Sequence, residues 1–222
     1  MDVAVLICTY KRPVGFRRLI KSLAEQRLPQ GARVTLCIAD NNPDCEVSGY
    51  IDQALEGFPW PCFVEHEPKR GYSSARNKSI QIALANTDAD LMCMTDDDET
   101  VPQTWIADHI AGIAEFNCDV TVGLYGTRPS VSPHGQITTR ATTGNVCFKR
   151  RLIDEVGLGT GLGLRFDTSL DEQGGEDRAF FRSAVINGAV IRKIDGAHII
   201  PQVPPEDATM KQALAFYHCR SK

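Results

Sequence analysis

No stretch of this chain approaches the roughly 18 consecutive apolar residues that a membrane-spanning helix needs. The apolar start, residues 3–8, is too short for a signal-peptide core with its cleavage site, and the basic Lys11 and Arg12 follow it instead of preceding it. Both absences lead to the expectation of a cytoplasmic chain. There is no C-x-x-C pair among the eight cysteines at 8, 37, 45, 62, 93, 118, 147 and 219, which speaks against a zinc ribbon or a thioredoxin-type site. Cys8, Cys37 and Cys93 lie inside apolar runs, where a free thiol packs as a small hydrophobe. There is also no basic stripe: the 24 Lys and Arg are scattered and outnumbered by 28 Asp and Glu, for a formal charge of −4. No nucleic-acid partner is therefore expected. No internal repeat is present. What remains is an ordinary globular balance, 42% hydrophobic and 23% charged over 222 residues, enough for one domain with an additional lobe.

The first 125 residues alternate between two hydrophobic periods. Residues 3–8, 34–39, 62–66, 91–94 and 120–124 read as buried strands. Between them, Pro13 opens a helical pattern with Phe16, Leu19, Ile20 and Leu23 on one face, 51–55 forms a short helix, Ser73 or Ser74 caps a helix running to about residue 85, and 105–116 is helical. Such alternation predicts an α/β fold with a mostly parallel sheet covered on both faces, whose ligands bind beyond the carboxyl ends of the strands. That rule gathers residues 9–12, 40–42 and 96–99 on one edge. After Gly126 the pattern loosens: a loop or hairpin to 145, a strand at 146–148, a short helix at 151–156, glycines at alternate positions from 157 to 163, a helix at 178–187, a strand at 190–194 and a last helix at 208–219.

Four acids, Asp96-Asp97-Asp98-Glu99, directly follow an apolar strand. Like charges so placed repel unless solvent or a cation intervenes, and hard divalent cations prefer carboxylate oxygens. On an extended segment Asp96 and Asp98 would share a side, with Asp97 turned away. Glu176-Asp177, after Gly174-Gly175, starts a helix; these acids are either caps or a general base that meets an incoming hydroxyl. His198 closes the last strand and is either structural or the nitrogen that completes a metal shell. The segment from Gly71 to Asn77 opens a helix whose free amides, together with Arg76, suit an anion or nucleotide. The glycines of 157–163 follow a helix rather than a strand, so they are not a dinucleotide fingerprint. His66, His109, His134 and His218 read as surface or packing residues.

Taken in order, Val5 to Pro13, Ala39-Asp40-Asn41-Asn42, Gly71 to Asn77, Asp96 to Glu99, Thr143-Gly144-Asn145 and Gly174-Gly175-Glu176-Asp177 resemble the family 2 inverting glycosyltransferases of the GT-A fold. The resemblance extends over about the first 205 residues. The Gly-Gly-Glu-Asp string before Phe180-Phe181, with His198 and Val203 to Glu206, is most similar to bacterial exopolysaccharide glycosyltransferases of the succinoglycan glucosyltransferase type. It implies a Rossmann-like, GT-A-type sheet with a smaller acceptor-side lobe: a nucleotide-sugar-binding half at 1–125, an acceptor-side half at 126–206 and a C-terminal helix at 207–222. It also implies transfer of a sugar from a nucleoside diphosphate sugar, UDP-linked, to a hydroxyl of a glycan or lipid-linked glycan in cell-surface or exopolysaccharide synthesis. A divalent metal, Mn²⁺ or Mg²⁺, is implied as cofactor.

Residue by residue, the resemblance places Thr9, Tyr10, Arg12, Asp40, Gly71, Arg76, Asn77, Asp96 and Asp97 at the nucleotide. Asp98, Asp96 and His198 would hold the metal, Asp177 would be the catalytic base with Glu176 beside it, and Thr143, Gly144 and Asn145 would line the sugar or acceptor pocket. A lipid-linked acceptor would add peripheral membrane contact through 207–222. Two alternatives stay open on the residues alone. A metal-dependent nucleotidyltransferase uses a similar acid cluster, although the loop from Cys8 to Pro13 carries no glycine. A catalytically inactive nucleotide-sugar-binding module would need neither Glu176 nor Asp177.

Overall fold

The computed structural model describes residues 1–44, 48–126, 134–155 and 161–199. In chain order the elements are β1 (Asp2–Thr9), α1 (Pro13–Ala24), β2 (Arg33–Asp40), α2 (Gly49–Leu55), β3 (Cys62–His66), α3 (Tyr72–Asn86), β4 (Leu91–Thr95), α4 (Trp105–Phe116), β5 (Val120–Val122), β6 (Ile137–Thr138), β7 (Asn145–Lys149), α5 (Glu176–Ile186) and β8 (Ile191–Lys193). Single 3₁₀ turns occupy Arg150–Leu152 and Thr168–Leu170. One eight-stranded sheet has the order β3-β2-β1-β4-β7-β5-β8-β6. The neighbours β3, β2, β1 and β4 are mutually parallel, as are β5 and β8, while β7 and the edge strand β6 run against their neighbours.

Successive strand residues point to opposite faces, and both faces are apolar because both are covered. Val3, Val5 and Ile7 pack with Phe16, Leu19 and Leu23 of α1, Ile51 of α2 and Trp105 and Ile106 of α4. Ala4, Leu6, Met92 and Met94 pack on the other side with Ile80 and Ala83 of α3 and Phe180, Phe181 and Ala184 of α5. Each fully buried Leu, Ile or Phe stabilises by about 1.5–3 kcal/mol, so the 3.6-residue face of α1 is explained by burial alone.

Three expectations change. The helix expected over 151–156 is a 3₁₀ turn, because the chain doubles back and Leu162 N–H bonds the Arg151 carbonyl (2.9 Å). Gly71, not a serine, caps α3, and no side chain caps it locally. Strand β5 is shorter than expected and ends at Val122. The helix expected at 208–219 lies outside the described residues.

The sheet also decides which ends meet. Thr9, Asp40 and Thr95 close the parallel strands β1, β2 and β4 on one edge. Because β7 is antiparallel to β4, its first residue, Asn145, stands opposite Thr95 on that same edge.

Candidate active site

Over this edge lies a cleft of about 880 Å³, lined among others by Thr9, Tyr10, Arg12, Asn41, Gly71, Tyr72, Arg76, Tyr125, Thr143 and Asp177 and by all of 96–99. Seven carboxylates and three guanidiniums share its wall. Past Thr95 the acids form a turn, with Glu99 N–H donating to the Asp96 carbonyl (3.1 Å). Turning removes the two-residue alternation of an extended segment, so Asp96 and Asp98 do not share a side against Asp97. Asp97 and Asp98 instead share Arg12, whose Nη1 is 3.3 Å from Asp97 Oδ1 and 2.6 Å from Asp98 Oδ2. Asp97 also accepts from Tyr10 N–H (3.4 Å), and burial pushes its carboxyl up to about 7 despite Arg12.

Asp96 faces Arg76 at 4.0 Å and stays half open to the cleft. Its recess nonetheless desolvates it and raises its carboxyl, with Arg76 opposing and Asp98 and Asp177 adding to the rise. Gly144 lies against it: a Cβ there would come 2.7 Å from Asp96 Oδ2 and collide with the Tyr125 hydroxyl.

The second acidic pair arrives from the other face of the sheet. Gly174 and Gly175 have φ of 73° and 93°, a left-handed pair that only glycine adopts at low cost. This reversal starts α5 with Glu176 and Asp177 in its first turn. Arg76, nearly buried, receives both: Nη1 bonds Glu176 Oε1 and lies 3.4 Å from Asp177 Oδ1. Asp177 Oδ2 accepts from the Thr143 N–H (3.2 Å) and hydroxyl (3.4 Å). Oδ1 is buried and, among the described residues, has only its charge contact with Arg76. Glu176 is buried; desolvation and the adjacent Asp177 raise its carboxyl while Arg76 pulls it down.

Several expected site residues are employed elsewhere. Asp40 is fully buried and spends Oδ1 on Asn42 N–H (3.1 Å) and Oδ2 on Ser48 N–H (2.6 Å); its neighbour Asn41 lines the cleft instead. Asn77 turns from the cleft to the Phe166 backbone, donating to its carbonyl and accepting from its N–H, both at 2.8 Å. Asn145 is buried behind the wall, where Oδ1 accepts from Trp105 Nε1 (2.9 Å) and His109 Nε2 (3.2 Å) and Nδ2 donates to the Leu124 and Ala197 carbonyls.

The α3 N-terminus, expected to hold an anion, already holds one from this chain. The Asp171 carboxylate accepts from Ser74 N–H (2.9 Å) and Ser74 Oγ (2.7 Å) and pairs with Lys69 (3.2 Å). His198 is not on the cleft wall, and among the described residues its buried Nε2 has no hydrogen-bond partner. Among the described residues no three His, Cys, Asp or Glu side chains converge as a metal site. The expected set Asp96, Asp98 and His198 is thus not assembled, since the turn gives Asp98 to Arg12. Asn41, in the 40–42 string expected on this edge, does line the cleft, while Tyr125 and Asp171 do so with no local signal in the sequence.

A two-faced sheet of this order with an acid turn at the end of β4 is the GT-A glycosyltransferase fold, and solved structures match it. S. aureus TarS 1–349 superposes with a TM-score of 0.68 at 19% identity over 92% of this chain and 61% of that one. The same protein in complex with UDP gives 0.67 at 19% identity over 93% and 62%. The mannosyltransferase PcManGT from Pyrobaculum calidifontis, in complex with GDP-Man and Mn²⁺, gives 0.66 at 17% identity over 92% and 58%. The chain spans about three fifths of the length of these structures.

The model of Glycosyl transferase family 2 matches residues 4–167, and the chain belongs to that family. It is also 27% identical, over 95% of its length and 70% of the relative's, to the succinoglycan biosynthesis protein ExoM of Rhizobium meliloti (strain 1021). Among the described residues no helix is long and apolar enough to cross a membrane.

Proposed function

We propose that this chain transfers a sugar from a UDP-linked donor to a hydroxyl of a glycan or lipid-linked glycan acceptor, with inversion, as a step of bacterial exopolysaccharide or cell-surface synthesis. Family membership supports glycosyl transfer. Fold neighbours in complex with UDP, UDP-GlcNAc and GDP-Man support a nucleoside diphosphate sugar, and the succinoglycan relative supports the polysaccharide role. The observation that carries the mechanism is Asp177, a carboxylate on the cleft wall held in place by Thr143 on one oxygen and by the charge of Arg76 on the other.

In this reading the acceptor oxygen attacks the anomeric carbon on the face opposite the diphosphate. As that bond forms and the sugar–phosphate bond breaks, the Asp177 carboxylate takes the hydroxyl proton. Such base assistance is worth roughly 10²–10⁴-fold. Arg76 offsets the charge of the Glu176–Asp177 pair, and Glu176 backs it from the interior. Thr9, Tyr10, Arg12 and Gly71 line the cleft, which supports reading them as nucleotide contacts.

The surplus of carboxylates in the cleft suits a hard divalent cation in kind. Asp96 and Asp98 would hold Mn²⁺ or Mg²⁺, Asp98 on leaving Arg12. Such an ion, when bound, offsets charge on the departing diphosphate.

Asp177→Asn is expected to lower transfer at least about 100-fold and to leave UDP affinity, measured by calorimetry with Mn²⁺, within about twofold. Near-wild-type turnover in this variant would remove Asp177 from the role.

A further inference from the structure

The carboxylates of α5 sit at the end of a segment, 166–177, whose own order is local: a 3₁₀ turn capped by Asp167, turn bonds from Gln173 and Gly174 N–H to the Leu170 carbonyl, and two left-handed glycines. Helix α3 fixes it. Ser73 Oγ donates to the Asp167 carbonyl (2.6 Å), Ser74 holds the Asp171 carboxylate, Arg76 pairs with Glu176, and Asn77 clamps both backbone groups of Phe166. Both polar atoms of the Asn77 amide are spent on this clamp, and the residue does not line the cleft. Asp171 borders the cleft, but it is buried at the α3 N-terminus with both carboxylate oxygens spent on Ser74 and Lys69, and Gly71 leaves the room: any Cβ there would collide with the Asp171 carboxylate.

We infer that Asn77 and Asp171 are positioning residues for the Asp177 carboxylate, an inference that rests on the reading of Asp177 as the base. Asn77 docks the start of the segment and Asp171 its middle. The two left-handed glycines then have one direction in which to send α5, and Asp177 meets Thr143 and Arg76. A base must be held within about 0.5 Å of its productive place, and a loop with free backbone dihedrals spreads far wider than that.

The variants Asn77→Ala, Asn77→Asp and Asp171→Asn test this. UDP release is followed with whichever of UDP-glucose, UDP-galactose and UDP-N-acetylglucosamine the wild type turns over fastest, and UDP binding is measured by calorimetry with Mn²⁺. The expected result is a fall in kcat of about tenfold or more in Asn77→Ala and Asp171→Asn, with donor KM and UDP affinity within twofold. Asn77→Asp, which keeps the acceptor for Phe166 N–H, lies between wild type and Asn77→Ala.

A kcat within threefold of wild type overturns the inference, as does a UDP affinity that falls in step with kcat, because that pattern belongs to a nucleotide contact. If Asn77→Ala does not fold, the near-isosteric Asp171→Asn carries the test. Asp177→Asn is run in parallel. Should it turn over normally, the base reading fails and takes the inference with it. Should it be inactive while the α3-side variants are normal, the inference alone fails.

Discussion

Asn145 Oδ1 accepts from Trp105 Nε1 and so has no hydrogen to offer His109; the His109 Nε2 must therefore carry the proton, and its Nδ1 accepts from the Thr121 hydroxyl at 2.9 Å. The ring is fully buried and neutral, and desolvation takes its pKa down to about 4, with the Asn145 bond opposing. In the unfolded chain the same ring titrates near 6.5. Between these values the unfolded state binds a proton that the folded state refuses, so stability falls as the pH drops. From pH 7.5 to 5 the loss from this one ring is about 2 kcal/mol. The raised carboxyls of Asp97, Asp96 and Glu176 act in the opposite sense, so the ring's share is read from a difference: between the two pH values, urea unfolding is expected to show the wild type losing about 2 kcal/mol relative to His109→Gln, and equal changes in the two proteins would remove His109 as the source. The sequence offered His109 as a surface or packing residue, and packing is what it does. Nothing near it in the chain reveals that its partner is 36 residues away.

Helix α1 lies directly on the acid turn. Gly15, in its first turn, faces that turn so closely that a Cβ would sit 2.8 Å from the Asp97 carbonyl oxygen and 3.1 Å from the Asp98 Cα. In a free helix, replacing glycine by alanine stabilises by about 0.5–1 kcal/mol. Here the added methyl meets backbone that cannot yield cheaply, and overpacking of this kind costs about 1–3 kcal/mol. The second effect wins, so Gly15→Ala is expected to lower stability by about 1–2 kcal/mol in urea and to weaken UDP binding, since the displaced atoms belong to the cleft wall. A stabilised variant with unchanged UDP affinity would show that the turn yields. At this scale the helix itself was legible from Phe16, Leu19, Ile20 and Leu23, whereas the conformation of the acids was not. Four consecutive carboxylates are compatible with extension or turning, and the choice was made by Arg12 and by the approach of α1.

The molecule as a whole joins its two stretches through α3 and through a sheet in which β7, from the later part of the chain, is inserted between β4 and β5. The cleft at their junction carries more negative than positive side chains, so a diphosphate is expected to enter with a cation. Ligand at 100 times its Kd stabilises by about 2.7 kcal/mol, and a chain of this size gains roughly 2–4 °C per kcal/mol. UDP with Mn²⁺ is therefore expected to raise Tm by about 5–10 °C, and excess chelator to remove most of that shift. A shift of the same size with UDP in chelator would mean that the basic residues bind the nucleotide unaided.

The sequence by itself determined most strands and helices of the first half, the mostly parallel character of the sheet, and the edge on which the acids would stand. These follow from hydrophobic period and from the rule that parallel strands need a helical crossover, both local properties of the chain. Only the tertiary structure decided that Asp171 fills the α3 N-terminus, that Asn77 and Asn145 face inward, and that Arg76 serves the Glu176–Asp177 pair. Those partners lie 21 to 101 residues apart, and a polar side chain's choice among distant partners is set by which surfaces the packed core brings together, a quantity that no spacing along the chain encodes.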